Sequence, residues 1–135
     1  MREFVRAQTA ILLRRLAYQI ARSAKTGDAD TIHDLRVAIR RLNRCLQVFS
    51  KFYPDNSRKK IRGRLRDLMH AAGAVRDFDI ALELIPAAGL QKEGDLSARL
   101  VADRRRLNHD LLQEIRRWKS ASFSKKWRQQ LDLNP

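Results

Sequence analysis

Apolar residues recur along this chain with the period of a helix. The clearest row is Ile32, Leu35, Ile39, Leu42, Leu46, Phe49 and Tyr53, with alternating spacings of three and four. That is one face of a helix, and Pro54 ends it. Upstream, Val5, Leu12, Leu16 and Ile20 predict a helix over about Arg2 to Lys25, stopped near Gly27. Asp28 or Asp30 then caps the second helix. A third row, Ile61, Leu65, Leu68, Ala72 and Val75, follows a cap at Asn56 or Ser57. Gly73 interrupts it, and predicts either a kink or a close backbone approach. The next position of the row is Asp79, a carboxylate where a core residue belongs. Pro86, Gly89 and Gly94 mark a loop. The fourth row is Leu96, Leu100, Leu107, Leu111, Ile115 and Trp118. Ser120 or Ser122 caps a short last helix bearing Phe123, Trp127 and Leu131. No strand pattern appears. The expected fold is all-α, an antiparallel four-helix bundle with a short extra C-terminal helix. Its 135 residues suit one domain, 1–135.

Charge changes this picture. The formal net charge is +14, and 21 of the 29 basic residues are arginine. So large an excess destabilises a compact fold and points to an anionic partner. Arginine grips phosphate oxygens in bidentate fashion, which lysine does not; genome composition can also enrich arginine. At about 100° per residue, His33, Arg36, Arg40 and Arg44 share a sector of about 80°, set roughly 140° from the apolar row. Arg41 flanks it. Between Thr31 and Tyr53 the only acid is Asp34, whereas a solvated surface helix intersperses acids with bases. Lys59, Arg62 and Arg66 repeat the spacing on the third helix, and Arg15, Tyr18 and Arg22 on the first. Arg104 to Arg106, Arg116 and Arg117 add to the fourth. Neighbouring helices are expected to line a shared basic groove suited to a polyanion. Arg76 is placed to pair with Asp79, and Asp77 and Asp79 are candidates for orienting neighbouring arginines.

Other chemistry is sparse. Cys45 is the only cysteine, so an internal disulfide and a thiolate zinc site are excluded. The phosphate-loop, dinucleotide-loop and nucleophile-elbow motifs are missing. His33 has three open roles: a solvent-facing residue, a donor to an anion, or a metal ligand. His33-Asp34 resembles the metal-dependent HD phosphohydrolases, but no histidine precedes it. No cofactor or metal is expected. No apolar run reaches the ~20 residues that span a bilayer, and the arginine-broken N-terminus does not read as a signal peptide. A cytoplasmic protein is expected.

Two motifs together resemble the CHAD family, the conserved-histidine α-helical domains. The first is a helix with His33, Arg36, Val37, Arg40, Arg41, Arg44, Leu46 and Phe49; Asn43 stands where a basic residue is common. The second is Gly73 followed by Arg76, Asp77, Asp79 and Ile80. The resemblance implies a helical bundle whose basic surface binds inorganic polyphosphate without catalysis, and association with polyphosphate granules. It carries the phosphate-contact role to His33, Arg36, Arg40, Arg41 and Arg44, and by extension to Arg62, Arg66 and Arg76. Family domains commonly hold two such bundles. The second histidine helix has no counterpart here, because no arginine follows His109 at the required spacing. A single sufficient bundle, a homodimer that rebuilds the pair, and a truncated chain are the three expectations. A nucleic-acid-binding helical module is the alternative function. It fits the charge equally well but lacks an aromatic stacking platform.

Overall fold

The computed structural model describes residues 1–91 and 94–134. The chain forms α1 (Arg2–Ser23), α2 (Ala29–Val48), α3 (Asp55–Ala87), α4 (Asp95–Ser120) and α5 (Phe123–Gln130), with a 3-10 turn at Ser50–Phe52 between α2 and α3. The described residues contain no strand, so the all-α bundle expected from the sequence is the fold. Each long helix packs on the next, and α4 returns to α1, so α2 and α4 lie diagonally across the bundle. The short α5 closes one end against α1, α3 and α4.

The apolar row of α2 does what its spacing requires. Ile32, Leu35, Ile39, Leu42 and Leu46 are fully buried, Tyr53 is buried and Phe49 is half-buried. Burying each such side chain contributes about 1.5–3 kcal/mol. Asp28 is the N-cap, its Oδ1 accepting from the Thr31 N–H at 2.8 Å. The helix ends at Val48, earlier than Pro54, because the 3-10 turn carries the chain on to Tyr53.

Three other helices depart from the expected pattern. In α1 the core row runs Val5, Thr9, Leu13, Leu16 and Ile20, while Leu12 is only half-buried. Thr9 is tolerated inside because its hydroxyl donates to the Val5 carbonyl at 2.6 Å and bonds the Tyr53 hydroxyl at 2.7 Å. Burial raises the Tyr53 pKa above its ordinary value. In α3 neither Asn56 nor Ser57 caps the helix. It starts at Asp55, directly after Pro54, and the Asp55 carboxylate pairs with Arg58 and Lys59 in the first turn. The helix α3 runs unbroken through Gly73, and no other backbone comes close there. The nearest atom to a Cβ placed there is Arg36 Nη2, at 3.9 Å. Pro86 lies inside the last turn, and Gly89 follows the C-cap residue Ala88; its φ of 77° and the Leu90 N–H bond to the Ile85 carbonyl at 3.0 Å form a Schellman-type stop. The expected loop includes Lys92 and Glu93, which lie outside the described residues.

In α4 the row is displaced by one residue at its start: Ser97 is buried and Leu96 is exposed. Trp118 and Trp127 are core residues, joined edge-to-face with Phe123 at centroid distances of 5.0–5.2 Å. The Arg64 guanidinium covers Trp118 at 4.7 Å. Ser122 stands at the start of α5 with a left-handed φ of 51°, and its side chain makes no capping bond. No helix among the described residues is long and apolar enough to cross a membrane.

Candidate functional site

Two side-chain contacts fix how α2 lies along α3. The Arg62 Nε–H donates to Asn43 Oδ1 at 3.0 Å. Further along, Arg36 lies over Gly73. Numbers rise on one helix as they fall on the other, so the pair is antiparallel. By the same register Arg40 is level with Arg66, and His33 with Arg76. The helices therefore carry their basic residues side by side. His33, Arg40, Arg44 and Arg66 are exposed, whereas Arg36, Arg62 and Arg76 are half-buried along the seam between the helices. From His33 to Arg44 the row extends about 16 Å at 1.5 Å per residue.

What distinguishes this face is that its arginines are not engaged by carboxylates, although the exposed Asp77 lies near one end. Among the described residues, the ion pairs join Arg6 to Asp132, Arg22 to Asp34, Arg58 and Lys59 to Asp55, Arg104 to Asp79, Arg106 to Asp103 and Arg117 to Glu114. Arg36, Arg40, Arg44, Arg62, Arg66 and Arg76 are in none of them. Among the described residues Arg62 has only a neutral amide, that of Asn43, for a partner. Arg36 holds its Nε–H buried without a hydrogen-bond acceptor. Stacked like charges at helical spacing repel by tenths of a kcal/mol per pair. Such a row can bind a chain of anionic groups without first breaking a salt bridge.

The remaining predicted arginines lie elsewhere. Arg15 and Arg41 line a different groove, between α1 and α2, of about 700 Å³. Arg22 is tied up at its end: its Nη1–H donates to Asp34 Oδ2 at 2.6 Å. Because α4 is diagonal to α2, its arginines do not join the α2–α3 face. The basic residues of the four helices thus divide among separate faces, and the neighbouring pair α2–α3 carries one of them.

The two carboxylates also divide. Asp77 is exposed and makes no ion pair among the described residues. Asp79 is buried but does not pair with Arg76. It lies on the core row with Ala72 and Val75, whereas Arg76 is half-buried and off that row. Its partner is Arg104, whose Nε–H donates to Asp79 Oδ1 and whose Nη2–H donates to the Gly27 carbonyl at 2.7 Å. One α4 side chain thus ties α3 to the α1–α2 turn, directly before the helix that carries His33. Sequence reasoning missed Arg104 as part of an arginine run. The signal was present: Leu100, Arg104, Leu107 and Leu111 continue a three-and-four spacing, so α4 has a cation in its core row as α3 has a carboxylate.

His33 is exposed in the first turns of α2. Among the described residues no three His, Cys, Asp or Glu side chains gather where they could hold a metal ion.

The molecule is thus a helical bundle with a cationic outer face on one helix pair. The family model of the CHAD domain matches residues 7–135, and the chain belongs to the CHAD domain family. Neither a comparison with curated proteins nor one with solved structures gives a match.

Proposed function

We propose that this protein binds inorganic polyphosphate on the outer face of α2 and α3, and performs no chemistry of its own. The observation that carries the reading is the row of six arginines without carboxylate partners among the described residues. Membership of the CHAD domain family, which is linked to polyphosphate binding, supports the same ligand. A linear polyanion matches the geometry better than one small phosphate, because the cations form a line and not a cup. His33, level with Arg76 at one end of that line, is placed to donate a further hydrogen bond. The cell compartment that follows is the cytoplasm, on polyphosphate granules.

Binding of polyphosphate in competition with DNA and RNA of matched charge tests the reading. Polyphosphate is expected to win. If about six charges are neutralised, the log–log dependence on salt has a slope near −4, by analogy with single-stranded nucleic acids. A slope near zero excludes an electrostatic site, and preference for nucleic acid assigns the face to that ligand instead.

A further inference from the structure

The α3–α4 hairpin outruns the rest of the bundle. By the Arg36–Gly73 register, the first turn of α2 is level with Arg76 to Ile80, and α3 continues to Ala87. On the side of α3 that meets α2 lower down, Ile80 is level with the very start of α2 and Leu84 lies beyond it. They are 41% and 59% exposed, one turn apart. Exposed apolar side chains so placed on a helix are the anchors of helix-in-groove recognition.

This tip differs in charge from the rest of the chain. Between Asp77 and Asp103 lie six of the protein's fifteen acids and only two of its 29 basic residues. Asp79 and Asp103 are engaged by arginines of α4. Asp77 and Glu83, which flank the two apolar anchors, are exposed and form no ion pair among the described residues. The tip is an acidic helix end with an apolar stripe.

The α1–α2 groove has the opposite character. Ile11, Leu12, Val37 and Ala38 contribute apolar surface, Arg14, Arg15 and Arg41 contribute cations, and the one acid of the lining, Asp34, is paired with Arg22. None of these three arginines is in an ion pair among the described residues. The groove is therefore apolar and basic where the tip is apolar and acidic.

We propose that the groove between α1 and α2 receives the α3 tip, Ile80 to Leu84, of a second copy of this chain. Both complementary surfaces are on one chain. They do not meet within it, because Ile80 and Leu84 lie at the far end of α3 and the groove is lined by α1 and α2 alone. The contact is heterologous, head to tail, so it can propagate beyond a dimer or close into a ring. It differs from a symmetric pairing of two bundles. It engages α3 beyond Arg76 and is tested without polyphosphate, so it stands or falls independently of polyphosphate binding. Two molecules of net charge +14 repel at long range. At physiological ionic strength that repulsion is screened beyond about 8 Å, while the tip–groove contact is local.

Sedimentation velocity on the full chain, without polyphosphate and at physiological ionic strength, tests this from low micromolar to submillimolar protein. The expected result is a mass that rises with concentration. The tip variant Ile80→Lys/Leu84→Lys and the groove variant Arg15→Glu/Arg41→Glu each remain monomeric, with circular dichroism unchanged. Mixed together, they form a one-to-one complex and nothing larger, because each retains one intact surface. A wild-type chain that stays monomeric throughout overturns the proposal, even if the groove binds a separate acidic peptide or anionic vesicles. So does a mixture of the two variants that fails to associate.

Discussion

Arg104 on α4 holds Asp79 on α3 inside the bundle, and the same guanidinium reaches the Gly27 carbonyl in the α1–α2 turn. Side-chain exposures are 20% for Arg104 and 10% for Asp79. Removing one member of a buried pair costs about 3–5 kcal/mol, because the other is left charged without a partner. Arg104 keeps some access to water, so Asp79→Asn and Arg104→Ala are each expected near the lower end, about 3 kcal/mol. For a chain of this size that lowers the melting temperature by about 10 °C. Thermal unfolding of both variants checks this. A double variant no worse than either single one would show that they act as a pair, and additive losses would show that they do not.

The polyphosphate reading separates arginines that look alike in the sequence. Arg40 and Arg44 are exposed and make no ion pair among the described residues, whereas Arg22 is bound to Asp34. Arg40→Ala and Arg44→Ala are expected to change stability by no more than about 0.5 kcal/mol. Each should weaken polyphosphate binding by about tenfold, from the loss of a charge-assisted hydrogen bond. Each should also make the salt slope shallower by about 0.7. Arg22→Ala is expected to lose distinctly less affinity. Equal losses for all three would place the ligand across α1 as well. Unfolding of the Arg40 or Arg44 variant would make the row structural.

The α2 helix was almost wholly legible, since every position of its seven-residue row is buried or half-buried. There one face is apolar and the other charged, so periodicity alone assigns the register. In α1 Leu12 and Leu13 are adjacent and equally apolar. The choice between them is made by Thr9, a core residue whose hydroxyl is satisfied by Val5 and Tyr53. Hydropathy cannot see that satisfaction before the fold is known. The grouping of arginines failed for a different reason. Spacing tells which residues share a face of one helix, but which faces adjoin depends on the ring order of the bundle. That order sets Arg15 and Arg41 beside a groove of their own and sends α4 to the far side.

Two glycines make opposite predictions. A Cβ at Gly27 would fall 2.4 Å from Asn108 Oδ1 and 2.9 Å from its Cγ, so the Asn108 side chain must give way. Gly27→Ala is expected to cost about 1–2 kcal/mol by overpacking, and Asn108→Ala should restore much of that. At Gly73 the nearest atom is 3.9 Å away, an ordinary contact, in the interior of α3. Gly73→Ala should therefore stabilise the protein, by up to about 1 kcal/mol. Denaturant unfolding of the three single variants and the Gly27/Asn108 double variant tests both. If Asn108→Ala gives no rescue, crowding is not the reason for glycine at 27.

Asp28 gives the second helix its start and a pH dependence. Hydrogen bonds from Thr31, with a further one from Thr26, hold the carboxyl below its usual range. A carboxyl whose folded value is depressed stabilises the fold above its unfolded pKa, and that contribution is lost as pH falls through the folded value. Asparagine caps a helix about as well as aspartate but does not titrate there. Asp28→Asn should therefore keep most of the neutral-pH stability and lose less of it on acidification than the wild type. Asp28→Ala should be less stable at neutral pH, and its difference from the wild type should shrink in acid. Thermal midpoints of the three proteins, measured from neutral pH down through the carboxylate range, give the comparison. Parallel profiles for wild type and Asp28→Asn would remove Asp28 from the acid response and assign it to other carboxylates, of which Asp55, lowered by Arg58 and Lys59, is the next to test.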